Sequence, residues 1–537
     1  MIPVTAIKDF FMAVETSRDL GAAPRATRPP TMGLGVVDDA SARMIEVERL
    51  FESVNTCPTL AGQATLHNSL LRPLQSVADL QARHVALEEL RSRVQLRERL
   101  GSLLSTAAAR ERSLYELLFG HFMGFMGKTP NRMEIEGYGY EVYRRGTRFL
   151  LDVLDSARHL PKAESPYLQG LIGALTGYAG TSAQQFMAGP VYITERGLAL
   201  KGQLRAYVPR IKFRPSLLKP RLLAATALAA ILMHVEPVAS YLQSPALPLT
   251  MVFLMPLVGL YVPMVGNFDR DNFIYPLRDR FRGAEELQRA LAALGTLDML
   301  LAFDRYARDF PTLAVLPELR EDRRHGMRLR QVRNPILGKT NAEYIANDLD
   351  LDRDRTLFIT GPNSGGKSAL CKTLAQVQLL AQIGCYVPAR EAELVLADRI
   401  FYQAPEVGTL ADREGRFGTE LKRTKEIFMA ATPRSLVILD EMAEGTTYEE
   451  KLAISSAVLD GFARIGASTV LITHNHELVE SFNRRGVGQC RQVEFRAEMP
   501  TYRLVDGISK VSHADHVARK LGFSKEDIER YLREQGY

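Results

Sequence analysis

The segment Gly361-Pro-Asn-Ser-Gly-Gly-Lys367-Ser368 fits the spacing G-x-x-x-x-G-K-S, and its residue types suit the holding of a polyphosphate. Glycine accepts positive φ, so Gly361, Gly365 and Gly366 can turn successive backbone N–H groups onto phosphate oxygens. Pro362, Asn363 and Ser364 complete the loop. Lys367 is spaced to reach the β and γ phosphates, and the Ser368 hydroxyl to ligate Mg²⁺. The flanks agree. TLFIT, residues 356–360, reads as a short strand, and ALCKTLAQVQLLAQIG reads as a helix whose N-terminus adds partial positive charge.

A second constellation lies downstream. In SLVILDE, residues 435–441, four apolar residues read as a buried parallel strand. Asp440 at its end is placed to hold Mg²⁺ through water, and Glu441 to polarise an attacking water as general base. Read blandly, Glu441 is an exposed strand-end carboxylate. A third strand, STVLITH, ends in His474, where a γ-phosphate sensor would stand. A lone histidine is more often structural; here its place at the end of a strand favours function. Together these residues predict an ATPase that uses ATP and Mg²⁺.

The elements that must position these groups follow from the rest of the chain. Its 537 residues suit three or four domains, and 46% hydrophobic residues can fill large cores. The net charge of +6 permits a polyanionic partner such as nucleic acid or an anionic membrane. Cys57, Cys371, Cys385 and Cys490 lack metal-ligand spacing and suit a reduced, cytoplasmic chain, and the N-terminus shows no cleavable signal.

From Ser41 to Leu104 apolar residues recur at helical spacing, as in Met44, Val47, Leu50 and Phe51, with a break at Pro73. Helix returns from Gly283 to Asp309, and past Arg320 short β-type runs alternate with helices. Between these lies a different texture. Residues 222–266 hold two apolar runs, preceded by Lys201, Arg205, Arg210, Lys212, Arg214, Lys219 and Arg221 and followed by Arg270, Arg278, Arg280 and Arg282. That pattern suits a membrane hairpin with both ends in the cytosol. It also suits a pair of buried helices, since the first run falls short of the roughly 20 residues a spanning helix needs.

Longer stretches resemble the MutS family. TGPNSGGKS is similar to the family's TGPNMGGKST, with Ser364 and Ala369 as departures; AQIGCYVPA, THNHEL and EYIANDLDL resemble further family segments. The resemblance is dense from Tyr344 to about Phe523, and looser in LFESVNTCPTLAGQATLHNSLLRPLQSVADLQARHVALEEL. It implies an α/β P-loop NTPase domain of ABC type at the C-terminus plus an all-α, MutS-core-like N-terminal region. It implies that Tyr344 stacks on adenine. It also implies a homodimer with shared ATP sites, each capped by a signature loop of pattern S-T-F-x-x-E from the neighbour. Phe417 and Glu420 fall in that register, while Gly415 and Arg416 replace the serine and threonine.

The expected order is a lead segment, 1–40; a first helical part, 41–130; an insertion with the apolar hairpin, 131–282; a second helical part, 283–320; the ATPase domain, 321–505; and a helix-turn-helix dimerisation tail, 506–537. With residues 1–40 alone ahead of the helical core, a member without the mismatch-recognition domain is implied. Two functions follow. In one, a dimeric ATPase acts on DNA in mismatch repair or branched-DNA handling. In the other, a MutS-fold ATPase switch is anchored in the cytoplasmic membrane and makes little use of DNA.

Overall fold

The computed structural model describes residues 35–124, 134–204, 207–219, 261–362, 365–405, 415–442, 446–496, 499–509 and 522–536. Chain contacts divide the molecule into two compact units. One comprises described parts of Cys57–Thr65 and Arg93–Met299; the other holds 35–56, Leu66–Ser92 and the residues from Leu300 onward.

The first unit is largely helical, with helices Val94–Ala108, Glu111–Phe119, Tyr140–Arg158, Pro166–Thr176 and Ser182–Ala188. Glu111–Phe119 buries Leu114, Leu117 and Leu118, and Tyr140–Arg158 buries Phe149, Leu150, Val153 and Leu154, at the three- and four-residue spacing that makes one apolar face. Two carboxylates are buried among them. Glu111 Oε1 accepts from Leu60 N at 2.5 Å, and Asp298 Oδ2 accepts from Thr59 N at 2.9 Å. Both therefore satisfy amides at the start of the helix Leu60–Leu71.

An all-helical N-terminal region does not describe this unit completely. Val191–Thr194 pairs antiparallel with Gly197–Leu200 and with Ile211–Lys212 in a three-stranded sheet. VYIT is rich in residues that favour a pleated surface, and Gly197, at φ +98, supplies the turn.

Of the apolar stretch 222–266, residues 222–260 lie outside the described residues, and residues 261–266 are helical. Among the described residues no helix is long and apolar enough to cross a membrane. The two chain segments that flank residues 222–260 are fastened to each other. Tyr261 Oη donates to Leu217 O at 3.1 Å, Lys219 pairs with Asp269, and the Phe213 and Phe273 rings stack at 4.7 Å.

The second unit is built on a six-stranded sheet. Its order is Ile400–Gln403, Leu436–Asp440, Ser468–Ile472, Thr356–Thr360, Gln489–Arg496, Met499–Asp506. The first five strands are parallel and the last is antiparallel. The strands expected at 356–360, 435–441 and 468–474 are thus neighbours. Their continuous apolar runs reflect burial on both faces. Phe358, Val437, Leu439 and Leu471 pack in one cluster with Leu459 and Phe462 of the helix Tyr448–Ile465, and with Leu478 and Phe482 of His476–Arg484.

The helix Lys367–Gln382 is almost wholly buried, including Thr373, Gln376, Gln378 and Gln382. Each amide has a fixed partner. Gln378 Nε2 donates to Val395 O at 3.0 Å, and Gln382 Nε2 donates to Ala397 O at 3.0 Å while its Oε1 accepts from Ala397 N. Satisfied in this way, buried polar groups fix the helix in register instead of destabilising it. A smaller four-stranded sheet, Glu318–Arg320, Glu391–Val395, Met327–Val332, Asn347–Asp350, completes the strands among the unit's described residues.

Candidate functional site

The sheet register sets the site. Asp440 stands opposite Ile472, and Ile472 opposite Ile359, so the loops after three adjacent parallel strands begin side by side. Ligand sites in open α/β sheets form at these carboxyl ends. The loop after Thr360 turns through Gly361 at φ +130 and Gly366 at φ +76. Gly366 caps the helix Lys367–Gln382 in a left-handed conformation. A Cβ on Gly365 would meet Val493 at 3.1 Å, and one on Gly366 would meet the Tyr502 ring at 3.2 Å. A Cβ would be tight at both positions, and the backbone angle of Gly366 also favours glycine. Asn363 and Ser364 lie outside the described residues.

Lys367 is 2% exposed, and its Nζ donates to the Gly361 carbonyl. Burial lowers its pKa to about 8, against the opposing pull of Glu441 and Asp440. The lysine and both carboxylates therefore share one electrostatic neighbourhood. Ser368 follows on the exposed side of the first helical turn. Asp440 Oδ2 accepts a hydrogen bond from Tyr402 Oη at 3.5 Å. Glu441 has φ +66, a left-handed conformation that costs a side-chain-bearing residue roughly 1–2 kcal/mol. Its amide donates to Ile472 O at 2.9 Å, which ties this turn to the adjacent strand. The turn brings Glu441 Oε1 within 3.4 Å of His474 Nε2. Backbone strain of this kind is found where a side chain must be re-aimed.

Of the residues singled out in the sequence, the structure gathers Gly361, Gly365, Gly366, Lys367, Asp440, Glu441 and His474. Tyr344 is half-buried, with its phenol in hydrogen-bond contact with Thr373 and the Asn334 backbone; burial raises its pKa. Phe417 and Glu420 start the helix Gly415–Ala430, where the Glu420 carbonyl accepts from Gln403 Nε2 at 3.3 Å. The side chain of Arg416 lies outside what is described. Two residues went unnoticed in the sequence. Tyr402 backs Asp440, and Tyr502, at φ +58 and half-exposed, lies against the glycine loop. The sequence sign of Tyr502 is an aromatic ring in an otherwise mixed edge strand.

The groups present fit magnesium carried on a polyphosphate. Ser368 and Asp440 form a sparse, oxygen-only donor set, as expected where phosphate oxygens and water complete the shell. Among the described residues there is no cluster of three His, Cys, Asp or Glu that could hold a metal alone.

Residues 357–533, which include the glycine loop, Lys367, Asp440, Glu441, His474 and Tyr502 but not Tyr344, match the family model described as MutS domain V. This region of the chain belongs to the MutS domain V family. The chain is 36% identical over 261 residues to the DNA mismatch repair protein MutS of Chloroflexus aurantiacus, covering 46% of this chain and 26% of that protein. It is 33% identical over 266 residues to the protein of the same name from Caldicellulosiruptor bescii, covering 47% and 30%. It is also 35% identical over 254 residues to the DNA mismatch repair protein msh3 of Aspergillus fumigatus, covering 44% and 22%. The chain thus spans less than a third of the length of these MutS relatives.

Proposed function

We propose that this protein binds MgATP at the Gly361–Ser368 loop and hydrolyses it, and that it does so as a homodimer acting on DNA. The observation that carries the reading is the burial of Lys367 between a glycine-walled loop and the pair Asp440 and Glu441. In this reading the loop amides and Lys367 hold the β and γ phosphates. Bound between Ser368 and Asp440, magnesium would neutralise phosphate charge as a Lewis acid. Glu441 accepts a proton from the water that attacks the γ-phosphorus, while the bond to the bridging oxygen breaks and ADP leaves. His474 holds the Glu441 carboxylate and faces the phosphate end of the site. Tyr344 and Tyr502 supply ring faces for the base, and Phe417 and Glu420 act on the site of the neighbouring protomer.

The test separates binding from chemistry. Lys367→Ala should abolish tight MgATP binding. Glu441→Gln should bind normally and turn over at least ~100-fold slower, the usual size of a lost general base. Unimpaired turnover in the glutamine variant would assign the water to another residue. The relatives' names support DNA as the partner; salt-dependent retention on duplex DNA, lost on mutating Arg210, Lys212 and Arg214, tests it.

A second reading, membrane anchorage through 222–266, is favoured by the fastening of Leu217 and Lys219 to Tyr261 and Asp269, which returns the chain to its starting point. Flotation with phosphatidylglycerol–phosphatidylcholine vesicles tests it. Full recovery in the soluble fraction without detergent would refute it.

A further inference from the structure

Residues 35–46 contain none of the nucleotide-site motifs, yet they grip both helices that carry site residues. At one end this segment joins the sheet edge. Val37 bridges Ile400 in parallel, and Ile400 N donates to Val36 O at 2.7 Å. Asp38, 5% exposed, then caps the helix Asp39–Ile45 by accepting from Ser41 N at 2.8 Å. The same carboxylate is held by Arg423 of the helix Gly415–Ala430, whose Nη2 reaches both oxygens at 2.9 Å. Ser41 Oγ accepts from that Nη2 at 3.1 Å and from Tyr402 N at 3.0 Å, and Tyr402 is the residue that backs Asp440.

At the other end the segment meets the helix of Lys367. Gln376 Nε2 donates to Ile45 O at 2.8 Å, and Lys372 Nζ donates to Glu46 Oε1 at 2.6 Å. Lys372 and Gln376 are four positions apart, so they share one helix face. Glu46 has φ +63 and separates the helices Asp39–Ile45 and Val47–Val54. Strain of this kind persists where neighbours over-determine it, and here the ion pair and the Ile45 carbonyl do so.

We propose that residues 35–46 are a strap between the helix that begins at Lys367 and the helix that begins near Phe417, and that Asp38 is a positioning residue for ATP hydrolysis. The proposal rests on the ATPase reading above. A displacement at the phosphate loop travels along the helix to Lys372 and Gln376, through the strap to Asp38, and from Arg423 to Phe417 and Glu420. A buried charge pair transmits well because separating its members leaves one charge uncompensated.

The full chain is tested as wild type, Asp38→Asn, Arg423→Lys, Arg423→Met and the Asp38→Asn/Arg423→Met double variant. Asparagine keeps an acceptor for Ser41 N, so the cap survives while the charge is lost. The expected result is a kcat on the order of tenfold lower in Asp38→Asn and Arg423→Met, as for a small misplacement of reacting groups, with the Kd for a fluorescent ATP analogue within about twofold. Arg423→Lys should retain more activity than Arg423→Met, and the double variant should be no worse than the weaker single variant. Hydrogen exchange at the 417–430 amides should quicken in Asp38→Asn without nucleotide. Unchanged kcat in both Asp38→Asn and Arg423→Met overturns the proposal, as does unchanged exchange. A parallel fall of kcat, affinity and melting temperature overturns it too, since that is mere destabilisation. An unmutated chain that neither binds nor hydrolyses ATP refutes the site reading itself, and the exchange result then still reports on the strap alone.

Discussion

Burying an ammonium group is costly, and at Lys367 the cost appears as a pKa lowered to about 8. A polyphosphate would restore the proton's hold, so the bound form has the higher pKa. The sign follows. Below about pH 7 Lys367 is charged in both forms and affinity for MgATP should be flat. Above about pH 8 binding must take up a proton, and affinity should fall toward tenfold per pH unit. Titrations from pH 7 to 9.5 measure this; a constant Kd over that range would mean the lysine is not at the phosphates. At Glu441 the left-handed backbone and the 3.4 Å approach to His474 make the carboxylate's direction depend on its neighbour. His474→Ala should therefore lower kcat more than it weakens ATP binding, read as a split between kcat and Kd in steady-state and equilibrium measurements.

Among the elements, the start of the helix Leu60–Leu71 carries the clearest pH dependence. Burial pushes the Glu111 carboxyl up to about 8, opposed by the Leu60 and Ala61 amides and reinforced by Asp298. Its folded pKa is raised, so between about 4.5 and 8 the native chain holds a proton that the unfolded chain has lost. The stability it contributes is present at low pH and disappears as pH rises through 8, an effect on the order of a few kcal/mol. Glu111→Gln keeps an acceptor for Leu60 N and removes the titration. Thermal unfolding from pH 6 to 9 should show a flatter profile for this variant and a higher midpoint than wild type at pH 9. Identical profiles would place the titration elsewhere.

The elements also differ in how plainly the sequence announces them. TLFIT and STVLITH are readable because a strand buried on both faces is one unbroken apolar run, and a glycine-rich loop with Lys and Ser has few other uses. VYIT and GLAL in the first unit are only four residues each, too short for periodicity to show. Asp38 and Arg423, or Tyr502 and Gly366, meet only through pairings between residues far apart in the chain. Nothing local marks them in the sequence.

For the whole molecule, the expectation that Phe417 and Glu420 serve a partner's site has a direct test. A Lys367→Ala protomer mixed with a Phe417→Ala protomer should regain activity at roughly one of the two sites in each mixed dimer, seen as ATP turnover that neither variant shows alone. No rescue at any mixing ratio would mean each chain completes its own site. The order of the six-stranded sheet has one more consequence. Gly361, Asp440 and His474 lie far apart along the chain and become neighbours when Thr356–Thr360, Ser468–Ile472 and Leu436–Asp440 pair. A disordered chain therefore offers a nucleotide almost nothing to hold. By mass action, free ligand at 100 times its Kd would add about 2.7 kcal/mol to the cost of unfolding, so under the proposed function cellular nucleotide would act as a folding aid to the sheet that forms its site.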